Sequence, residues 1–238
     1  MHSTSSLSRR ERLRETTIEE IKEAARQQMA EQGAAALSLG AIARAMGMTT
    51  PALYRYFENR DALVTALIID AYHSLADTLE DALAPLPATD YALRLQTLLL
   101  SYRLWALQHP QDYTLCHGAP LAGYEGAADA IRPAALRTLK IIGFLLTEAD
   151  AASPLHLPPS YFQPPAPVRE TLEALQGVFP ERDIPIPLLT FTIMTWIQVH
   201  GLIWQELSGH LPARLLQGGA LYQMEVQLIC QRLGLALP

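Results

Sequence analysis

The 238-residue chain is half hydrophobic, enough to bury a sizeable core as one large or two modest domains. Its formal charge of −6 argues against a molecule that binds nucleic acid over its whole surface. Two isolated cysteines, Cys116 and Cys230, make neither a disulfide framework nor a zinc cage, so a reducing cytoplasm is the expected home and no metal or cofactor is expected. The charge is unevenly spread. Residues 1–61 hold nine basic and eight acidic side chains, a balance of +1, whereas residues 62–238 carry −7. Phosphate contact belongs to the first segment.

In chain order, residues 1–8 are Ser-rich and expected to be disordered. Arg9, Arg10, Arg12 and Arg14 with Glu11 read as a basic arm, either a solvated tail or a contact to phosphates or the minor groove. Thr16 or Thr17 opens a long helix to about Gln32, with Ile18, Ile21, Ala25 and Met29 as its core stripe and Gly33 as its stop. Ser38 is an expected N-cap for a short helix carrying Leu39, Ile42, Ala43 and Met46, which Gly47 ends. Thr49 or Thr50 caps the next helix, with Pro51 in its first turn, where no hydrogen-bond donor is lost. That helix carries Leu53, Tyr54, Tyr56 and Phe57 to about Asn59. Two short helices joined by three residues cannot bury their own apolar faces. They have the anatomy of a helix-turn-helix, whose second helix enters the major groove.

The run Ala41-Ile42-Ala43, Met46-Gly47-Met48-Thr49, Pro51-Ala52-Leu53-Tyr54-Arg55-Tyr56-Phe57, Asn59-Arg60 and Ala62-Leu63 closely resembles the DNA-binding domain of TetR-type one-component repressors. Tyr102-Arg103, Trp105-Ala106-Leu107 and His109-Pro110, with Val199-His200-Gly201-Leu202 and Glu206 to Leu211, resemble the ligand-binding half of the TetR subgroup named for its Trp-His-Gly element; Val199 stands where that name has Trp. The resemblance implies an all-α chain. An N-terminal three-helix helix-turn-helix domain, residues 1–61, would precede a larger C-terminal bundle, residues 62–238, for ligand binding and dimerisation. It also implies operator contacts at positions matching Ser38, Thr49, Thr50, Pro51, Ala52, Tyr54, Arg55, Tyr56 and Arg60. The residues point the same way on their own. Leu53 and Phe57 share a face, so Tyr54, Arg55 and Tyr56 fan outward as hydroxyls and charge for phosphates. Pro51 and Ala52 leave room for close approach to the groove floor.

A long helix then runs from Asn59 or Arg60 to about Ala84, with Leu63, Leu67, Ala71 and Leu75 on one stripe. Asp90 opens a helix to Gln108 with two apolar arcs, Leu95, Leu98, Leu99, Tyr102 and Trp105 on one, and Leu93, Leu100, Leu104 and Leu107 on the other. Both arcs are expected to be packed, in a bundle interior. A short helix covers Pro110 to Cys116, a loop His117 to Gly126, and a helix Ala127 to Asp150. Residues 151–187 hold nine of the seventeen prolines and read as loop around a helix at Val168 to Gln176. Leu188 to Leu207 is long and apolar enough for a bilayer. Its Thr, Gln and His interruptions, without a flanking Lys/Arg cluster, favour a helix buried in soluble protein. A last helix spans Gln217 to Leu233.

The function expected is a ligand-released homodimeric repressor at a pseudo-palindromic DNA operator. Activation or a ligand-free role stays open, and a helical enzyme or an interaction module are the rival classes. No His-Glu-x-x-His, Gly-x-Ser-x-Gly, phosphate loop or Gly-x-Gly-x-x-Gly is present. Tyr102, Arg103, Trp105, Tyr113, Cys116, His117, Phe144, Met194 and Trp196 are candidates to line a pocket for a largely apolar inducer. Plain core packing is the better account of any single one of them, and Arg103 has Glu148 or Glu206 as candidate partners or, lacking both, calls for an anionic ligand group. Leu189, Trp196, His200, Gly201, Ile203, Trp204 and Leu207 are the expected dimer interface, with the choice of arc left open.

Overall fold

The structure, a computed structural model, describes residues 8–118, 121, 123–179 and 182–235, without the Ala213 side chain. The expected disorder of residues 1–7 and the loop position of Pro120 lie outside the described residues. The described residues form an all-α fold, with no strand among them. The chain divides into two compact units, one of Met1–Ala71 with Gln111–Ile131, the other of Tyr72–Pro110 with Arg132–Pro238.

In the first unit, helix α1 (Arg9–Gln32) starts earlier than expected. Ser8 accepts from the Glu11 N–H while the Glu11 carboxylate takes the Ser8 N–H, a capping box that draws the four arginines into the helix. Thr16 and Thr17 therefore lie within it, their hydroxyls donating to carbonyls one turn back. Gly33 ends it at φ 82°. Helix α2 (Leu39–Ala45) follows a 3-10 turn, and helix α3 (Thr50–Leu53) follows Gly47, whose φ of 66° only glycine takes without strain. Helix α4 (Arg60–Leu83) begins under the side chain of Asn59, which accepts the Ala62 N–H. Ile21, Ala25, Ile42, Leu53, Leu63 and Leu67 meet at 2% exposure or less, and Phe57 is buried beside them. Ile18, expected in the stripe, is half-buried. Lys22 and Arg26 of α1 both pair with Asp70, and Arg26 also reaches Asp112 of helix α6 (Pro110–His117).

In the second unit, helix α5 (Tyr91–Gln108) is capped by Asp90, as expected, through the Leu93 N–H. It packs on helices α9 (Ile186–Ser208) and α11 (Ala220–Arg232), while helix α8 (Ala166–Gln176) packs on α9. The arc from Leu95 to Trp105 is buried, but Leu104 of the second arc is 53% exposed, so α5 is packed fully on one side only. Helix α7 (Ala128–Ala152) adds Ile142, Leu145 and Leu146 to this core. A short helix α10 (Ala213–Leu216) and a 3-10 turn delay the last helix to Ala220. That turn ends in Gly219 at φ 73°, which favours glycine, and a Cβ there would lie 2.4 Å from the Arg103 guanidinium carbon and push that group aside. Helices α4 and α9 are each long and apolar enough to cross a bilayer by length and composition. In α9, however, Leu188, Leu189, Phe191, Val199 and Ile203 are buried against protein.

Candidate nucleic-acid interface

Two segments of this candidate surface are held from α1. The Gln28 amide of α1 donates to the Ala36 carbonyl and accepts the Ser38 N–H at 3.1 Å, fixing the chain where α2 starts. Ser38 thus sits at the N-cap through its backbone; its hydroxyl makes no capping bond, against expectation. Thr49 occupies the next N-cap, again without a side-chain cap, leaving the Thr49 and Thr50 hydroxyls free of that task. Helix α3 is regular for only four residues. Beyond Leu53 the backbone tightens into turns, with Arg55 N–H bonded to the Ala52 carbonyl and Tyr56 N–H to that of Leu53. The helix expected to reach Asn59 loses its regular ladder there, since these two bonds span three residues, although the Phe57 N–H still reaches the Leu53 carbonyl.

The anchoring fits the sequence pattern. Leu53 and Phe57 are buried, Tyr54 is 50% exposed, Arg55 is exposed and Tyr56 is half-buried. Pro51 is exposed and Ala52 half-buried. Arg60 is different: its Nε donates to the Leu37 carbonyl at 3.1 Å and its guanidinium lies 4.0 Å from Asp61. That side chain braces the loop before α2. The sequence reading placed Arg14 in the basic arm but not against the recognition segment. Its guanidinium lies 5.3 Å from the Tyr56 ring centroid and donates to the Arg55 carbonyl at 3.3 Å. The signal available was the helical spacing of Arg10 and Arg14, which reading the arm as unstructured discarded.

Comparison with known proteins settles the family. Residues 15–67 match the bacterial regulatory proteins of the tetR family, and residues 95–229 match the tetracyclin repressor-like C-terminal domain. The HTH-type transcriptional regulator Rv1816 of Mycobacterium tuberculosis is 30% identical over 232 residues, covering 96% of this chain and 97% of that protein. The chain belongs to the TetR family. Among solved structures, the regulatory protein SCO4313 is similar at 35% identity with a TM-score of 0.75, over 94% of this chain and all of that one. A TetR-family regulator from Marinobacter aquaeolei, at 16% identity and a TM-score of 0.60 over 93% of this chain and 98% of that one, shares the fold. The protein is thus a transcriptional regulator with a DNA-binding helix-turn-helix, and its family and relatives are not enzymes.

Of the pocket residues expected of this TetR-family chain, Tyr113, Cys116 and His117 belong to the first unit and the other six to the second. Tyr102 and Trp105 are core, at 0% and 1% exposure. The Tyr102 ring stacks on Trp196 at 4.7 Å, its hydroxyl lies 2.9 Å from His200 Nδ1, and Trp105 Nε1 donates to Ser74 Oγ. Arg103 forms a two-pronged pair with Glu206, at 2.7 and 2.5 Å, which holds the guanidinium charged; Glu148 instead pairs with Arg182. Phe144 lines a groove of about 440 Å³ with Leu83, Arg94, Ile141 and Leu145. Met194 lines another, of about 340 Å³, with His156, Tyr161, Phe191 and Ile229. In the first unit, burial raises the Cys116 thiol well above its usual range and pushes His117 down to about 4.

Among the expected dimer residues, Leu189 and Ile203 are fully buried within their own unit. Trp196 and His200 pack on Tyr102 as well. Gly201 is exposed with open space where a Cβ would stand, and Trp204 and Leu207 are half-buried. The open arc of α9 instead carries Met194 and Ile197, at 48% and 59% exposure.

Proposed function

We propose that this regulator is a cytoplasmic homodimeric repressor that binds a pseudo-palindromic operator and leaves it when a small, largely apolar molecule occupies the C-terminal part. Residues 1–61 serve as the DNA-binding domain and residues 62–238 as the ligand-binding and dimerisation domain. The observation that carries the DNA half is the exposure of Tyr54 and Arg55 beside Tyr56, on a segment nailed down by buried Leu53 and Phe57. Rigid anchoring with polar groups outward is what groove insertion requires. Thr49, Thr50, Pro51 and Ala52 complete the surface, with Ser38 at the start of α2.

Dimerisation is supported by the apolar side chains α9 and its neighbour α11 leave open: Met194, Ile197 and Met224, with Gly201 on the same exposed strip. One helix-turn-helix reads few bases, so two related by a two-fold axis give useful specificity. Ligand binding is supported by the Phe144 and Met194 grooves, each mixing aromatic and aliphatic walls with a few polar groups. A ligand that prefers one spacing of the two heads shifts operator affinity by that preference.

The test begins with operator selection from a random duplex library. A selected pseudo-palindrome, a dimeric mass in light scattering at micromolar concentration, and a compound that both raises the melting temperature and releases the operator are the expected results. A monomer that binds a single half-site, or stabilising compounds that leave operator affinity unchanged, would overturn the reading.

A further inference from the structure

The first two turns of α1 and the end of the α3 segment enclose an open cleft of about 610 Å³. Its walls are Arg9, Arg10, Leu13, Arg14, Thr17, Arg55 and Tyr56, with no acidic side chain among them. Helical stepping of about 100° per residue places the five α1 residues on one arc of roughly 140°, and turns Glu11 and Glu15 away. The Ser8–Glu11 box takes up the Ser8 and Glu11 N–H groups, so the helix start is partly capped. The cleft itself offers side-chain charge. Arg9, Arg10 and Arg55 are exposed and have no ion pair among those described. Arg14 differs from all three. Its guanidinium lies over the Tyr56 ring and holds the Arg55 carbonyl. That carbonyl belongs to the irregular end of a recognition helix with only four regular residues, so an outside brace fixes where Arg55 and Tyr56 point.

We propose that this cleft is a clamp for the phosphodiester backbone beside the groove, in which Arg9, Arg10 and Arg55 touch phosphate and Arg14 is a positioning residue. The proposal rests on the DNA-binding reading and adds a second, sequence-independent contact surface from α1. Cations that neutralise phosphates release condensed counterions, so each direct contact contributes about 0.9 to the slope of log affinity against log salt on duplex DNA. Arg14 contributes by geometry instead. A planar guanidinium stacks on a ring and donates sideways to a carbonyl; an ammonium keeps the charge but cannot do both.

The experiment measures fluorescence anisotropy of the full-length protein with a labelled mixed-sequence 24-base-pair duplex, from low to moderate salt. The double variant Arg9→Ala, Arg10→Ala is expected to lower the slope by roughly 2 for each bound head. Arg14→Lys is expected to bind several-fold more weakly, nearly as weakly as Arg14→Met. In an Arg55→Ala, Tyr56→Leu background the Arg14→Met change should have little further effect, since the residues act as one unit. Rescue by Arg14→Lys, or additive effects in that background, would show Arg14 to be an independent charge contact and overturn its positioning role. An unchanged slope in the Arg9/Arg10 variant, with wild type still binding, would overturn the clamp and leave the helix-turn-helix reading intact. Absence of wild-type binding at low salt would overturn both. Circular dichroism melting of each variant identifies any loss due to unfolding, and the slope is then compared at a temperature where all are folded.

Discussion

The recognition end of the first unit and the aromatic centre of the second use the same residue types for opposite purposes. Tyr54 is half exposed and Tyr56 half-buried beneath Arg14 at the surface; Tyr102 is swallowed whole, its hydroxyl satisfied by His200. Arg55 is exposed, whereas Arg103 is locked to Glu206 and wedged against Gly219. A polar tip signals a binding surface only when the residues around it bury something else. In the first unit Leu53 and Phe57 do that work. In the second, the aromatics themselves are what is buried.

The sharpest way to break this comparison is to truncate the centre. Trp105→Ala removes a side chain at 1% exposure and orphans Ser74, and should cost about 3–5 kcal/mol in denaturant unfolding. If Trp105→Ala leaves stability nearly unchanged but abolishes release by an inducer, Trp105 lines a pocket after all. The ion pair should come next. Arg103→Ala leaves Glu206 partly buried and uncompensated, at a cost of roughly 2–4 kcal/mol given the residual exposure of both side chains. The double variant Arg103→Met, Glu206→Leu should recover much of that loss, and its failure to do so would mean the pair does more than satisfy its own charges.

How much could be read from the sequence follows the same division. The turn glycine, the buried Leu53/Phe57 pair, the outward Tyr54 and Arg55 and the Asp90 cap were all legible, because each depends on residues a few positions apart. The start of α1 was lost because a Ser-rich lead-in hid the Ser8–Glu11 capping box. The packing of Tyr102 and Trp105 was not legible at all. Whether Tyr102 and Trp105 line a cavity or fill one depends on Trp196, His200 and Ser74, which lie 31 to 98 positions away. The same holds for α9, where periodicity supplied two apolar arcs and only packing against α5 and α11 showed that Leu189 and Ile203 face inward.

A pH series sharpens the contrast between enclosed and exposed polar groups within the first unit. Burial pushes His117 down to about 4, and its ring Nε2 is shut off from solvent. The unfolded chain takes up the proton near pH 6.5, while the folded chain refuses it until about 4. Stability is therefore intact above 6.5 and is lost progressively as pH falls toward 4. At 1.36 kcal/mol per pH unit the loss reaches at most roughly 3 kcal/mol, less to the extent that the side chain keeps some exposed surface. His117→Phe cannot protonate, so the stability of wild type relative to this variant should fall between pH 6.5 and 4. A flat difference across that window would mean the imidazole is solvated.

A smaller effect separates a tyrosine from an arginine at the candidate DNA surface. Tyr54→Ala should weaken operator binding about tenfold, a typical loss of roughly 1–2 kcal/mol for one contact, with little change in melting temperature. Arg60→Ala should do the reverse. Because Arg60 braces the Leu37 carbonyl, its loss should lower stability by about 1 kcal/mol while the salt slope of binding stays near that of wild type. A lowered slope in Arg60→Ala would return that residue to the phosphate contacts.

The smallest expected effect tests the open strip of α9. Gly201 lies within the helix, is exposed, and has nothing within 4 Å of where a Cβ would stand. Helix propensity alone makes alanine better there by about 1 kcal/mol. In an isolated protomer Gly201→Ala should therefore raise stability slightly. If a second copy packs its helix against this strip, the added methyl occupies space the partner needs, and the dimer should dissociate at higher concentration than wild type. Equilibrium sedimentation and denaturant unfolding read the two effects separately. A variant that gains stability and keeps the wild-type dimer affinity would mean that Gly201 faces water in the dimer, and would move the proposed interface along the strip toward Met194 and Ile197.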